Sequence, residues 1–215
     1  MEGIITFLAS VMAIIVSMST AAKNFSETKK NLIPQKVEKQ SSINIEIIKL
    51  LEEMKERFKA DRVQIYDFHN GVELANEVSL MKCSCTYEVV RIGTQAYFKD
   101  LQNIHLGMIP HFIHELLNKK ELIINDIEEI KTIMPATYEF KKSQKVGGFY
   151  DILLTNKQGR PIGFIGMQFN EANSIHFREY EKKKLYEYKG LIEDKKEKMK
   201  DDKHWKGEFK WKIKK

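Results

Sequence analysis

Residues 62–71 read RVQIYDFHNG, an alternating stretch that ends with a carboxylate, an imidazole and an amide beside a glycine. Alternate residues of a strand share a face, so Asp67 and His69 fall on one side and Tyr66 and Phe68 on the other. Two kinds of chemistry fit these types. Asp67 and His69, joined by Ser84 from the following strand, contain the groups of a hydrolytic relay. Such a relay needs nucleophile, base and orienting group in contact, which residue types alone do not supply. No catalytic residue is assigned, and the chain is read as a non-enzyme. The second chemistry is recognition: His69, Asn70 and Gly71, faced by Thr86 and Tyr87, would form a polar rim for an anionic or hydrogen-bonding ligand. The competing reading is a turn at Asn70-Gly71 that leaves His69 solvated.

Metal and thiol chemistry is poorly supplied. Cys83 and Cys85 are the two cysteines, and their i, i+2 spacing on a strand is unsuited to a mutual disulfide. Unbridged thiols fit a reducing compartment. His105, His111 and His114 could serve as haem ligands by type, and His111 and His114 share a helix face. Without a CxxC or HExxH pattern they are read as surface histidines, and no metal site is expected. These residues name no cofactor.

The elements that would position such groups begin with an uncharged stretch. Residues 3–22 carry no charge and, as a helix, would measure roughly 30 Å, the thickness of a hydrocarbon core. Lys23, Lys29 and Lys30 follow, against Glu2 alone in front. The positive-inside rule then places the remainder in the cytoplasm of a single-pass inner-membrane protein. Residues 1–23 are accordingly read as a transmembrane anchor and 24–42 as a polar juxtamembrane linker. Next comes a helix with Ile43, Ile47, Leu50 or Leu51, Met54 and Phe58 at three- and four-residue spacing. It could pair two copies as a short coiled coil, and a homodimer is expected.

The middle of the chain alternates strands and helices. Strands are expected at 62–68 and 78–89, a helix at 105–119, a strand at 121–127, a helical stretch at 137–145 and a hairpin over 147–169. A last helix should start near Ile175. Three stretches resemble the GAF family of sensor domains: ELIINDI (121–127), VGGFYDILLTNKQGRPIGFIGMQF (146–169) and HFREYEKKKLYEY (176–188). The resemblance implies an α+β fold, a central antiparallel sheet with helices on both faces, over residues 43–200. It also implies a pocket on one sheet face, able to take a cyclic nucleotide, bilin, haem or small metabolite, or nothing. The Asn-Lys-Phe-Asp-Glu motif of cyclic-nucleotide phosphodiesterases is not found. Gly163 and Gly166 mark places of close approach by backbone or ligand.

Charge is concentrated at the end. The chain carries +6 overall, and residues 203–215 hold six lysines against Glu208 alone, a net +5. In this tail (201–215) Lys203, Trp205, Lys210, Trp211, Lys212 and Lys214 interleave charge with aromatic surface. It could pack as an extra arm, bind an anionic membrane surface, or bind nucleic acid by stacking and phosphate contact, the last being least favoured. No output domain is recognisable after Met199. The sequence thus describes a membrane-anchored, cytoplasmic GAF-like sensory or regulatory module binding a small molecule or a partner protein. The alternative is a non-sensory scaffold that tethers membrane or nucleic acid through its tail. Richness in Lys, Ile and Asn suggests a bacterial or phage genome.

Overall fold

The structure, a computed structural model, describes residues 2–73 and 79–199. It divides into two units, Met1–Asn44 and Ile45–Lys215. The first helix, α1, runs Glu2–Phe58. The backbone of residues 24–42, read from sequence as a polar juxtamembrane linker, is part of this helix. Among the described residues no helix is long and apolar enough to cross a membrane, so the expected span is not found there. Of that span, the side chains of residues 1–15 lie outside the described residues, as does the whole basic tail with Lys203, Trp205, Lys210, Trp211, Lys212 and Lys214.

The second unit is built on a six-stranded antiparallel sheet. Its strands are β1 (Arg62–Glu73), β2 (Ser79–Val90), β3 (Ile104–His105), β4 (Glu121–Ile124), β5 (Gly148–Thr155) and β6 (Pro161–Phe169). They lie in the order β3-β2-β1-β6-β5-β4. Helix α2 (Pro110–Lys119) precedes β4, α3 (Pro135–Ser143) precedes β5, and α4 (Glu179–Met199) closes the unit. The β5–β6 turn closes on Asn156, whose Oδ1 accepts from Gln158 N and Arg160 N, with Gly159 at φ 72°. Helix α2 begins at Pro110, not His105, because a proline is favoured in the first helical turn and residues 104–108 form a strand and a 3₁₀ turn. Helix α4 starts later than Ile175. Ile175 is nonetheless buried, and Phe177 lays its ring against Phe58, Tyr150 and Phe169 from the approach to the helix.

Alternation sorts side chains to two covered faces. On one, Val63, Ile65, Ile152, Leu154, Ile165 and Met167 point away from the α2–α3 side and are buried. The C-terminal part of α1 brings Ile47, Leu51, Met54 and Phe58 to the core, so Leu51 takes the place left open between Leu50 and Leu51. Phe58 meets Tyr188 of α4, and Lys195 pairs with Glu46. On the other face Tyr66, Cys83, Cys85, Phe149, Leu153 and Phe164 pack under Phe112, Ile113 and Leu116 of α2 and Tyr138 of α3.

The β1–β2 hairpin differs from expectation at its tip. β1 continues through His69, Asn70 and Gly71, with Asn70 opposite Met81, so the expected turn there is a paired strand. Register shifts between Asn70 and Glu73, where three steps on β1 oppose two on β2, as in a bulge. A Cβ at Gly71 would lie 1.8 Å from the Leu80 carbonyl oxygen, so the glycine answers to a close strand approach rather than to turn geometry. A second bulge leaves Thr86 as the extra residue between the pairs Ile65–Tyr87 and Tyr66–Cys85. It reverses the alternation, and Tyr87 therefore parts from Cys85 and faces α4.

Gly166 leaves room for a carboxylate: a Cβ there would stand 2.7 Å from Asp151 Oδ1. Gly166→Ala should lower unfolding stability by about 1–3 kcal/mol, as overpacking of a filled core does. Urea denaturation monitored by circular dichroism would measure it.

Candidate functional site

The face of the sheet beneath α2 and α3 holds the most unusual chemistry of the chain. Lys141 on α3 and Asp151 on β5 are both buried, at 4% and 0% exposure. The ammonium reaches Asp151 Oδ2 at 3.4 Å, a long contact for an ion pair. It also sits 4.3 Å from the Phe149 ring centre and 5.9 Å from that of Phe112. Among the described residues Asp151 Oδ1 finds no hydrogen-bond partner. Burial pushes the Asp151 carboxyl up from its ordinary range and the Lys141 ammonium down, each partly countered by the other's charge. Lys141 lines a cavity of about 10 Å³ with Tyr66, Cys83, Phe112, Phe140 and Phe164. That is room for at most one water, whereas pockets for small organic ligands run to roughly 300–1,000 Å³. Stacked Tyr66 and Phe164, 4.5 Å apart, occupy the sheet surface below it.

Polar groups around this core are better satisfied. Buried Arg62 donates to Gln95 O, Gln168 Oε1 and Gln144 O at 2.8–2.9 Å, and stacks 5.0 Å from Tyr97. Glu88 accepts from Tyr97 N, Phe98 N and Gln64 Nε2, while the Tyr66 hydroxyl donates to Gln64 Oε1. These bonds hold the 91–103 segment against the strands. Burial also raises the Cys83 thiol to about 12, which leaves it protonated and a poor nucleophile at neutral pH.

The rim residues proposed from sequence stand elsewhere. His69 lies on the face opposite Tyr66 and Phe68. Its Nε2 is 2.9 Å from Ser84 Oγ, which in turn accepts from Asn103 N, and its Nδ1 is 3.1 Å from Asn70 O. Asn70 is exposed. Thr86 donates to Asp67 Oδ2, and Tyr87 donates to Met199 Sδ in α4. Asp67 is engaged by Lys196 of α4 at 2.7 Å to both oxygens. Asp67 thus turns to α4 while His69 meets Ser84, and the three groups do not assemble into a relay. Thr86 and Tyr87 are drawn to α4 and away from His69, and none of the five lines the cavity. On α2, His111 and His114 are exposed, with His114 bonded to Asn118. Among the described residues no group of three His, Cys, Asp or Glu could hold a metal ion.

No family model and no curated protein matches this sequence. Solved structures do match. A far-red cyanobacteriochrome photoreceptor superimposes with a TM-score of 0.56 at 15% identity, over 81% of this chain and 99% of its own. The GAF domain region of a Geobacter sulfurreducens PCA protein gives 0.53 at 15% identity, over 75% and 97%. GAF3 from Slr1393 of Synechocystis sp. PCC6803 gives 0.51 at 16%, over 70% and 90%. The fold is that of a GAF domain. At such identities the likeness concerns the path of the backbone, and the side chains of the site are this chain's own.

Lys141 and Asp151 escaped the sequence reading although one signal was present. In GFYDILLT, Asp151 is a lone carboxylate inside an apolar run that forms a fully covered strand. A buried acid demands a partner, but only the fold shows that a lysine from α3 supplies it. Lys141→Met alone should cost about 3–5 kcal/mol of stability at neutral pH by stranding the carboxylate, whereas Lys141→Met with Asp151→Leu should recover most of it. The single variant's loss should shrink as pH falls. Its folded-state carboxyl has a raised pKa, so the folded form takes up a proton that the unfolded form does not yet hold. Denaturation midpoints across a pH series test both statements.

Proposed function

We propose that this chain is a GAF-like sensory or regulatory module that responds to a small molecule or partner protein and catalyses no reaction. The observation that carries this reading is the under-satisfied charge pair beneath α3: Lys141 lines the cavity with a long ionic contact, and Asp151 Oδ1 has no partner among the described residues. Strongly perturbed, poorly partnered ionisable groups in a core are candidates for sites that a ligand completes. Binding would require α3 to move outward, since the closed cavity holds about 10 Å³. Among the matching structures is the far-red absorbing dark state of JSC1_58120g3 with bound biliverdin IXa. The Cys83 and Cys85 thiols are buried and held above their ordinary range, so the ligand inferred is non-covalent.

Anchoring at the membrane is part of the proposal. It is supported by the uncharged residues 3–22 and the lysines that follow, with the module on the cytoplasmic side. Self-association through the helices on the α1–α4 side is supported by exposed Ile45 and Tyr180. A scaffold without a ligand is the second reading, favoured by the same small cavity.

Native mass spectrometry of the full chain, purified from its host and released from detergent, separates the two. A bound small molecule is expected on the wild type and on His69→Ala with Asn70→Ala, and should be lost from Lys141→Met with Asp151→Leu. Bare protein in every case overturns the sensor reading in favour of the scaffold.

A further inference from the structure

A second feature of the chain stands apart from the cap-side cavity. Helix α4 and the β5–β6 turn enclose an open groove of about 560 Å³. Along it α4 presents Tyr186 and Leu191, 48% and 46% exposed, an unusual apolar display on a helix rich in Lys and Glu. Between them lies Gly190, where an added Cβ would meet nothing within 4 Å. Glycine inside a helix is disfavoured relative to alanine, so this bare surface is kept at a cost. The groove is acidic as well: among the described residues Glu187, Glu193, Asp194 and Glu197 line it against one base, Lys157. Glu193 is committed to Thr155 N and Lys189, and Glu187 meets Lys184, while Asp194 is exposed at the mouth.

We propose that the chain's own basic aromatic segment, residues 203–215, docks in cis along this groove. Charge, side-chain type and reach all match. The segment brings six lysines against one acid, with Trp205, Phe209 and Trp211 spaced among them. An indole or phenyl ring covers the bare helix surface at Gly190 between Tyr186 and Leu191, and lysines stand over Glu187, Asp194 and Glu197. The end of α4 at Met199 is about 18 Å from Glu187 along the helix, and residues 200–215 can extend roughly 50 Å. A reversal within 200–202 therefore brings the segment back antiparallel to α4. Tethering gives it an effective concentration on the order of millimolar, so modest contacts suffice. While docked, the segment is withheld from anionic lipid and from nucleic acid.

Trp205 and Trp211 are the two tryptophans of the chain, so tryptophan emission reads this segment alone. The full chain in micelles of neutral detergent is compared with a synthetic peptide of residues 200–215 in the same micelles. Docking predicts emission shifted to the blue of the peptide and reduced acrylamide quenching. Glu187→Lys with Asp194→Lys should move both readings to the peptide's values, and adding Lys210→Glu with Lys212→Glu should restore them. Emission equal to the peptide's in the wild type, or indifference to the charge reversal, overturns the proposal. So does a blue shift lost on dilution, which marks docking between copies. A shift that arises only on adding anionic vesicles or RNA overturns it as well.

Discussion

The strand β1 is the constraint on which the rest of the unit hangs. It pairs with β2 on one side and β6 on the other, so every backbone group from Arg62 to Asp67 is fixed in the middle of the sheet. Arg62 and Asp67 of this strand then fasten what lies over each face. Arg62 at one end ties the last carbonyl region of α3 and the 91–103 segment to the strand through Gln144 O and Gln95 O. Asp67, farther along, takes Lys196 and so docks the end of α4. Buried hydrogen bonds to a charged group contribute about 1.5–3 kcal/mol each, and an unpaired partner costs as much again. A shift of β1 by one residue would lose both anchors and turn its apolar set to the wrong side.

That arrangement places the strain of the molecule on one side. The α1–α4 face is closed by apolar burial and ring contacts, with Phe177 bridging Phe58, Tyr150 and Phe169. The α2–α3 face instead carries a buried ammonium and a carboxylate that share only one long contact. An isosteric apolar pair would serve stability at least as well. Hydration of Lys141 and Asp151 would offset part of the apolar area exposed if α3 moved away from the sheet. The α4 helix, held by β1 at Asp67 and by Thr155 through Glu193, is the element through which a change in the sheet would reach the end of the described chain.

Much of this was legible from residue order. Five of the six strands, all but β3, the Asn156–Gly159 turn, and the apolar stripe of Ile47, Met54 and Phe58 follow from periodicity and turn chemistry, which are local properties. Gly163 and Gly166 were readable as places of close approach, although what approached Gly166 was a carboxylate from the neighbouring strand. The His69-Asn70-Gly71 ending misled for an identifiable reason. Asn-Gly is a turn signal, but here a bulge and a close strand approach at Leu80 use the same glycine.

The sequence by itself determined the alternation of strands and helices, the concentration of positive charge after Met199, and a GAF-like order of elements. Those depend on neighbours a few residues apart. Only tertiary structure decided which polar groups meet: Lys141 with Asp151, Asp67 with Lys196 rather than His69, and the Tyr87 hydroxyl with Met199 of α4. The reason is physical. One extra residue at Thr86 reverses which face of β2 a side chain occupies, and a buried charge takes whichever partner the packing of distant elements brings within reach.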